Sequence, residues 1–304
     1  MRGFSPLKAD DKACGLSFEQ KLWKGTRVLA GAVKPALLYL FLPPLLMSVG
    51  MALFGGRSAE KVITDSGNFY YALGILLTIV LLARRSRKNG SSLCREAGLE
   101  WKLPEGKRVV LLMVVGLGFA VFFSAVITLV PFPEALKNSY SSSSDILKNG
   151  TDLGLAMLCT VLMAPVAEEI VFRGYMLGRL LSWFSKEQAI ALSAVLFALC
   201  HVSPLWIAYA CFMGILLAWV SIQEDDTMYS IALHIGFNVS VVPISLINGN
   251  SVWMERLYGN GLGIAFTGAV ALFLALAAFR GYLHLDDGAG IGKEAVSIPF
   301  TGRK

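Results

Sequence analysis

The chain has 304 residues, 55% of them hydrophobic and 16% charged, with a mean hydropathy of +0.62. That balance excludes an ordinary soluble domain and leaves a lipid bilayer as the solvent that suits it. The net charge of +6 would suit nucleic acid, but the basic residues cluster between apolar runs, where they set membrane orientation, so no nucleic-acid partner is expected.

Residues 1–28 read as a basic tail, with a short surface helix over 17–27. Apolar runs long enough to cross hydrocarbon follow at 29–54, 69–83, 109–130, 153–180, 188–202, 205–222, 228–247 and 262–279. The expected fold is therefore all-α, a polytopic transmembrane helical bundle of eight spans over 29–279, closed by a tail over 280–304. No small-residue cleavage site follows the first run, which reads as a retained span. Pro35, Pro43 and Pro44 predict a kink or a break in it. Ser139 to Ser144 read as a flexible external loop, and Trp101, Trp183, Trp206 and Trp253 fall near span ends, where interfacial aromatics gather. The five cysteines (Cys14, Cys94, Cys159, Cys200, Cys211) include no C-x-x-C pair, so neither a disulfide framework nor a thiolate metal site is implied.

Charge asymmetry orients the bundle. Arg2, Lys8, Lys12, Lys21, Lys24 and Arg27 precede the first run. Arg84, Arg85, Arg87, Lys88, Arg95, Lys102, Lys107 and Arg108 fill the second connection, whereas the first and third hold only Arg57, Lys61, Lys137 and Lys148. Basic residues mark the cytoplasmic side, so both termini of a multi-pass protein of the cell membrane are expected there, and Arg280, Lys293, Arg303 and Lys304 agree.

Ionisable residues inside the runs are functional candidates because each is expensive in hydrocarbon. They are Lys34, Glu168, Glu169, Arg173, His201 and His234, and Lys34 is close enough to its helix end to snorkel. Glu169 and Arg173 stand four apart, as do Phe197 and His201, and His234 and Asn238, so each pair shares a helical face. Counted from the expected cytoplasmic ends, Glu168, His201, His234 and Asn238 lie about 18, 20, 12 and 18 Å deep. Three helices thus present polar groups at similar depth. Glu169 and Arg173 read as a structural ion pair, which lowers the cost of burying both charges. Glu168 has no partner nearby in sequence. A single membrane His or Asn can be simple interhelical glue, but two His and an Asn beside an unpaired Glu point to a site.

The ordered set E-E-x-x-x-R (168–173), F-x-x-x-H (197–201) and H-x-x-x-N (234–238) resembles the CPBP family of intramembrane proteases, which contains CAAX prenyl endopeptidases of the Rce1 type and many bacterial relatives, some linked to bacteriocin self-protection. The resemblance spans about 164–238 within a core of about 153–247. It implies an intramembrane endopeptidase of glutamate type acting on a peptide or membrane-protein substrate within the lipid bilayer. In that scheme Glu168 takes a proton from water, His201 shares and orients that water, and His234 with Asn238 stabilises the oxyanion, while Glu169, Arg173 and Phe197 support the helices. No cofactor is implied.

Two other readings stay open at this point. Glu168, His201 and His234 are a plausible ligand set for catalytic zinc, although none of the histidines begins an H-E-x-x-H. A transporter or non-catalytic membrane chaperone would use the same groups for binding, although no inverted repeat is evident. Reporter fusions test the orientation: both termini are expected in the cytoplasm and the 139–144 segment outside, and an external C-terminal reporter overturns the even number of crossings.

Overall fold

A computed structural model describes residues 15–53, 59–100, 103–145, 153–240 and 260–287, and every regular element among them is helical. In chain order they are α1 (Phe18–Leu53), α2 (Ala59–Lys88), α3 (Leu93–Glu96), α4 (Gly106–Leu129), α5 (Glu134–Asp145), α6 (153–181), α7 (Lys186–Ala198), α8 (Pro204–Glu224), α9 (Thr227–Val239) and α10 (Gly261–Asp287). The chain is a polytopic helical bundle. Of the tails expected at 1–28 and 280–304, residues 1–14 and 288–304 lie outside the described residues, as do Trp101, Trp253 and residues 241–247, while 280–287 continue α10.

Among the described residues six helices, not eight, are long and apolar enough to cross a membrane: α1, α2, α4, α6, α8 and α10. The fifth and seventh expected spans are the 13-residue helices α7 and α9, each about 20 Å long against a hydrocarbon core of about 30 Å. Local chemistry sets these lengths. Ser185 and Gln188 form a reciprocal capping box at the start of α7. The chain then leaves the helix over 199–203 because Pro204, at the first turn of α8, biases the residue before it to extended backbone. Asp226 caps α9 through Met228 N. Hydropathy alone joins α7 to the apolar turn that follows it.

Two further expectations change. The three prolines do not break α1, which runs unbroken from Phe18 and absorbs the surface helix expected at 17–27. Pro35 and Pro43 are buried, and a Cβ on Gly74 of α2 would fall 2.7 Å from Pro43 Cα, so α2 supports the stretch where ladder hydrogen bonds are lost. The segment read as a flexible loop at 139–144 belongs to α5, whose Tyr140 ring lies 6.2 Å from that of Trp206.

Close helix approach relies on small residues. A Cβ on Gly116 of α4 would come within 2.1 Å of Leu233 O in α9, and one on Gly236 within 2.2 Å of Met113 O, so α4 and α9 touch backbone to backbone. Gly118 does the same against Ala271 of α10. One apolar core surrounds α6, with Val171, Phe172, Met176, Leu177 and Leu180 buried. A second joins α4, α8, α9 and α10 through Leu112, Leu217, Leu233 and Tyr282. A charged edge closes the bundle where α8 turns into α9. There Glu224 Oε1 accepts from Arg108 Nη1 at 2.9 Å and from the Tyr282 hydroxyl at 2.5 Å. Burial, with Glu100 and Asp226 nearby, pushes the Asp225 carboxyl up to about 6.

Gly236→Ala is expected to cost about 3 kcal/mol, because the new methyl meets backbone that cannot yield locally. Gly106→Ala, whose Cβ meets nothing within 4 Å, is the control that leaves stability nearly unchanged. Thermal unfolding in detergent, followed by retention of the monodisperse species, distinguishes the two.

Candidate functional site

The site grows out of α6, which is not a uniform helix. α-Helical turns at Leu153–Met157, Ala164–Glu169 and Gly178–Leu181 alternate with π-helical stretches at Leu158–Met163 and Ile170–Leu177. Glu168 and Glu169 close the short α segment between the two π stretches. Widened turns of this kind redirect side chains and loosen backbone carbonyls from their own ladder.

Pro165 explains part of the pattern. Ala164 N–H reaches back five residues to Cys159 O, and Pro165 has no N–H to offer. Thr160 O is therefore left without a donor from its own helix. Asn238 Nδ2 of α9 donates to it at 2.8 Å, which fixes the amide and ties α9 to the first π stretch. In the second stretch Phe172 O accepts from Ser193 Oγ of α7 at 3.4 Å.

The two carboxylates differ in surroundings. Glu169 is fully buried, and its Oε1 lies 3.2 Å from Arg173 Nη1 and 2.9 Å from His234 Nδ1. The structural pair read from the sequence is thus present, with His234 as an added member. Arg173, also fully buried, donates from Nη2 to Gly214 O at 3.3 Å and sets its guanidinium 4.4 Å over the Phe197 ring. A carboxylate only accepts, so Nδ1 of His234 is assigned the proton in that bond. His234 Nε2 then faces Glu168 Oε2 at 3.7 Å, beyond direct hydrogen-bond length.

Glu168 keeps 16% of its side chain exposed while Glu169 and Arg173 keep none. Its Oε1 accepts from the Tyr39 hydroxyl at 2.8 Å, and Tyr39 is within 2.8 Å of the Tyr71 hydroxyl. His201 sits in the turn between α7 and α8, with Nδ1 3.3 Å from Phe197 O; a carbonyl only accepts, so this nitrogen too is assigned the proton. Phe197 is the hub of the aromatic packing, with ring centroids 5.2 Å from His201 and 5.8 Å from His234. Trp206 covers the other side of His201 at 5.6 Å.

The structure thus connects all seven singled-out residues through contacts around α6: Glu168, Glu169, Arg173, Phe197, His201, His234 and Asn238. Tyr39 and Tyr71 were missed. A census restricted to ionisable side chains passes over a phenol, although a tyrosine well inside an apolar run, away from the interface, is the signal that exposes Tyr39. Among the described residues no three His, Cys, Asp or Glu side chains gather as metal ligands would. Glu168 and His234 offer a zinc ion two donors, one short of a three-ligand catalytic site.

Residues 151–240 match the family described as Type II CAAX prenyl endopeptidase Rce1-like, which supports the CPBP, Rce1-like resemblance that the three motifs carry. The match covers α6 to α9, which carry the three motifs, and leaves out Tyr39 and Tyr71. No curated protein and no solved structure matches the chain.

Removing one member of the buried charge group strands the others. Glu169→Gln and Arg173→Met are each expected to cost about 3–5 kcal/mol, read as loss of folded protein in detergent. Asn238→Ala, which bares Thr160 O, is expected to cost about 1–3 kcal/mol.

Proposed function

We propose that this Rce1-like protein is an intramembrane endopeptidase that hydrolyses peptide bonds with a water activated by Glu168. The observation that carries the reading is the asymmetry of the two adjacent carboxylates. Glu169 is buried and committed to Arg173 and His234, whereas Glu168 is partly open and turns Oε2 toward His234 Nε2 across 3.7 Å.

Chemistry follows from the free positions of each side chain. Glu168 Oε2 accepts a proton from water as the oxygen of that water adds to the peptide carbonyl carbon. His201, protonated at Nδ1, keeps Nε2 as an acceptor for the water's second hydrogen. The oxyanion needs donors. Asn238 uses one amide N–H on Thr160 O and retains the other. His234 donates from Nε2 when the ring carries both protons. Glu168 then returns its proton to the leaving amine, so the carboxylate is regenerated.

Nothing in this sequence of steps needs a metal, whereas the zinc alternative would take Glu168, His201 and His234 as ligands. Glu168→Gln is expected to abolish cleavage while the folded yield stays near wild type, since the shape is kept and the base removed. Peptide proteomics of membranes bearing the wild type or this variant reads the difference. His234→Ala is expected to slow the chemical step by about 2–4 kcal/mol with little change in substrate binding. Activity is expected to survive strong chelators. Stoichiometric zinc that leaves with activity under chelation and restores it on return would overturn the glutamate mechanism.

A further inference from the structure

The first two helices lie outside the matched segment, yet they place two phenols against the proposed base. Tyr39 is 5% exposed, its hydroxyl is 2.8 Å from Glu168 Oε1, and the Tyr71 hydroxyl is 2.8 Å from that of Tyr39. Three elements, α1, α2 and α6, meet at this chain of oxygens. A phenol has a single proton to donate. The carboxylate of Glu168 can only accept, so the Tyr39 proton points at Oε1 and Tyr39 oxygen must accept from Tyr71. Direction is thereby set along the whole chain, from Tyr71 through Tyr39 to Glu168, and each bond polarises the next.

We infer that Tyr39 and Tyr71 are positioning residues that hold Glu168 by Oε1 and so make Oε2 the oxygen that takes the proton from water. The inference rests on the proteolytic reading of the same site. The charge-assisted bond from Tyr39 draws electron density toward Oε1 and fixes the plane of the carboxylate. Oε2 is left facing His234 Nε2 at 3.7 Å, on the side where His234, Phe197 and His201 gather. Glu168 stands next to the last residue before a π-helical stretch, and the Tyr39 hydroxyl holds its side chain from a different helix. A base turned by even a small angle loses the near-attack geometry on which its contribution depends.

A purely structural tie would lower folded yield and leave turnover per folded molecule unchanged, which separates the two roles. The full chain in liposomes is assayed with a quenched fluorescent peptide selected from a random peptide library by the wild type, beside Glu168→Gln. Tyr39→Phe is expected to keep KM within about 2-fold and to lower kcat about 10- to 100-fold. Tyr71→Phe lowers it about 3- to 10-fold, and the double variant is no slower than Tyr39→Phe alone, because the two hydroxyls act in series. Wild-type kcat in Tyr39→Phe, with Glu168→Gln inactive, overturns the inference and leaves the protease reading standing. So do losses that multiply in the double variant. If Glu168→Gln cleaves as well as wild type, or the wild type cleaves no peptide, the protease reading fails instead. The infrared carboxylate band that vanishes in Glu168→Gln then decides: a shifted band in Tyr39→Phe upholds the grip on Oε1, and an unmoved band overturns it.

Discussion

Burying Glu169 is the constraint around which the rest of the bundle is arranged. A carboxylate with no exposure in a membrane protein needs compensating charge and donors, because solvent offers neither. Arg173 supplies the charge from one turn along α6, and His234 supplies a donor from α9. That second contact fixes the spacing between α6 and α9, and it explains why α9 must come so close to α4 on its other side. Gly116 and Gly236 allow the approach by removing side chains from the contact. Arg173 in turn reaches Gly214 O of α8 and stacks over Phe197 of α7. One buried anion thus orders α6, α7, α8 and α9 around itself, while the neighbouring Glu168 stands outside that ion group and takes its hydrogen bond from Tyr39.

The irregularity of α6 is part of the same arrangement. A regular α-helix would satisfy its carbonyls internally and offer nothing to α9. By placing Pro165 five residues after Thr160, the sequence removes the donor that the π turn would have used. Asn238 then has a reason to be an amide beyond any contact with substrate: it completes the hydrogen bonding of α6 and is itself held in one orientation. Preorganisation of this kind is what electrostatic stabilisation of an oxyanion requires, since a donor already fixed need not be ordered during reaction.

How much of this was legible in the residues depends on the kind of interaction. The membrane setting and the helical class follow from composition, and Glu169 with Arg173 follows from spacing along one helix. The gathering of Glu168, His201, His234 and Asn238 around α6 was also legible, because burying ionisable groups leaves few places for them to go. The number of spans was not. Hydropathy counts His201–Val202 as membrane-compatible whether or not they are helical, whereas the cap at Ser185 starts α7 and the turn before Pro204 ends it at 13 residues. The roles of Thr160 and Tyr39 were hidden for a different reason. One depends on a backbone carbonyl, which every residue has, and the other on a contact between residues 129 positions apart.

The shortness of α7 has its own consequence for water. About 20 Å of helix from Ser185 ends in the turn over 199–203, so polar backbone is exposed part-way through the apolar layer. Irregular backbone at such a depth is tolerated only against protein or a water-lined cavity. Protein backs one side of this turn. On the outer side the turn presents Leu199 and Val202, apolar and 64% and 85% exposed, as contact with lipid requires. On the inner side it presents His201, packed between Phe197 and Trp206. Several backbone bonds of the turn close locally, from Cys200 N to Phe197 O and from His201 N to Ala198 O. A full-length span at this position would carry His201 on a regular helical face. Ending the helix early lets the same residue stand at a break in the apolar wall, where the proposed protease would have to admit both water and an extended peptide.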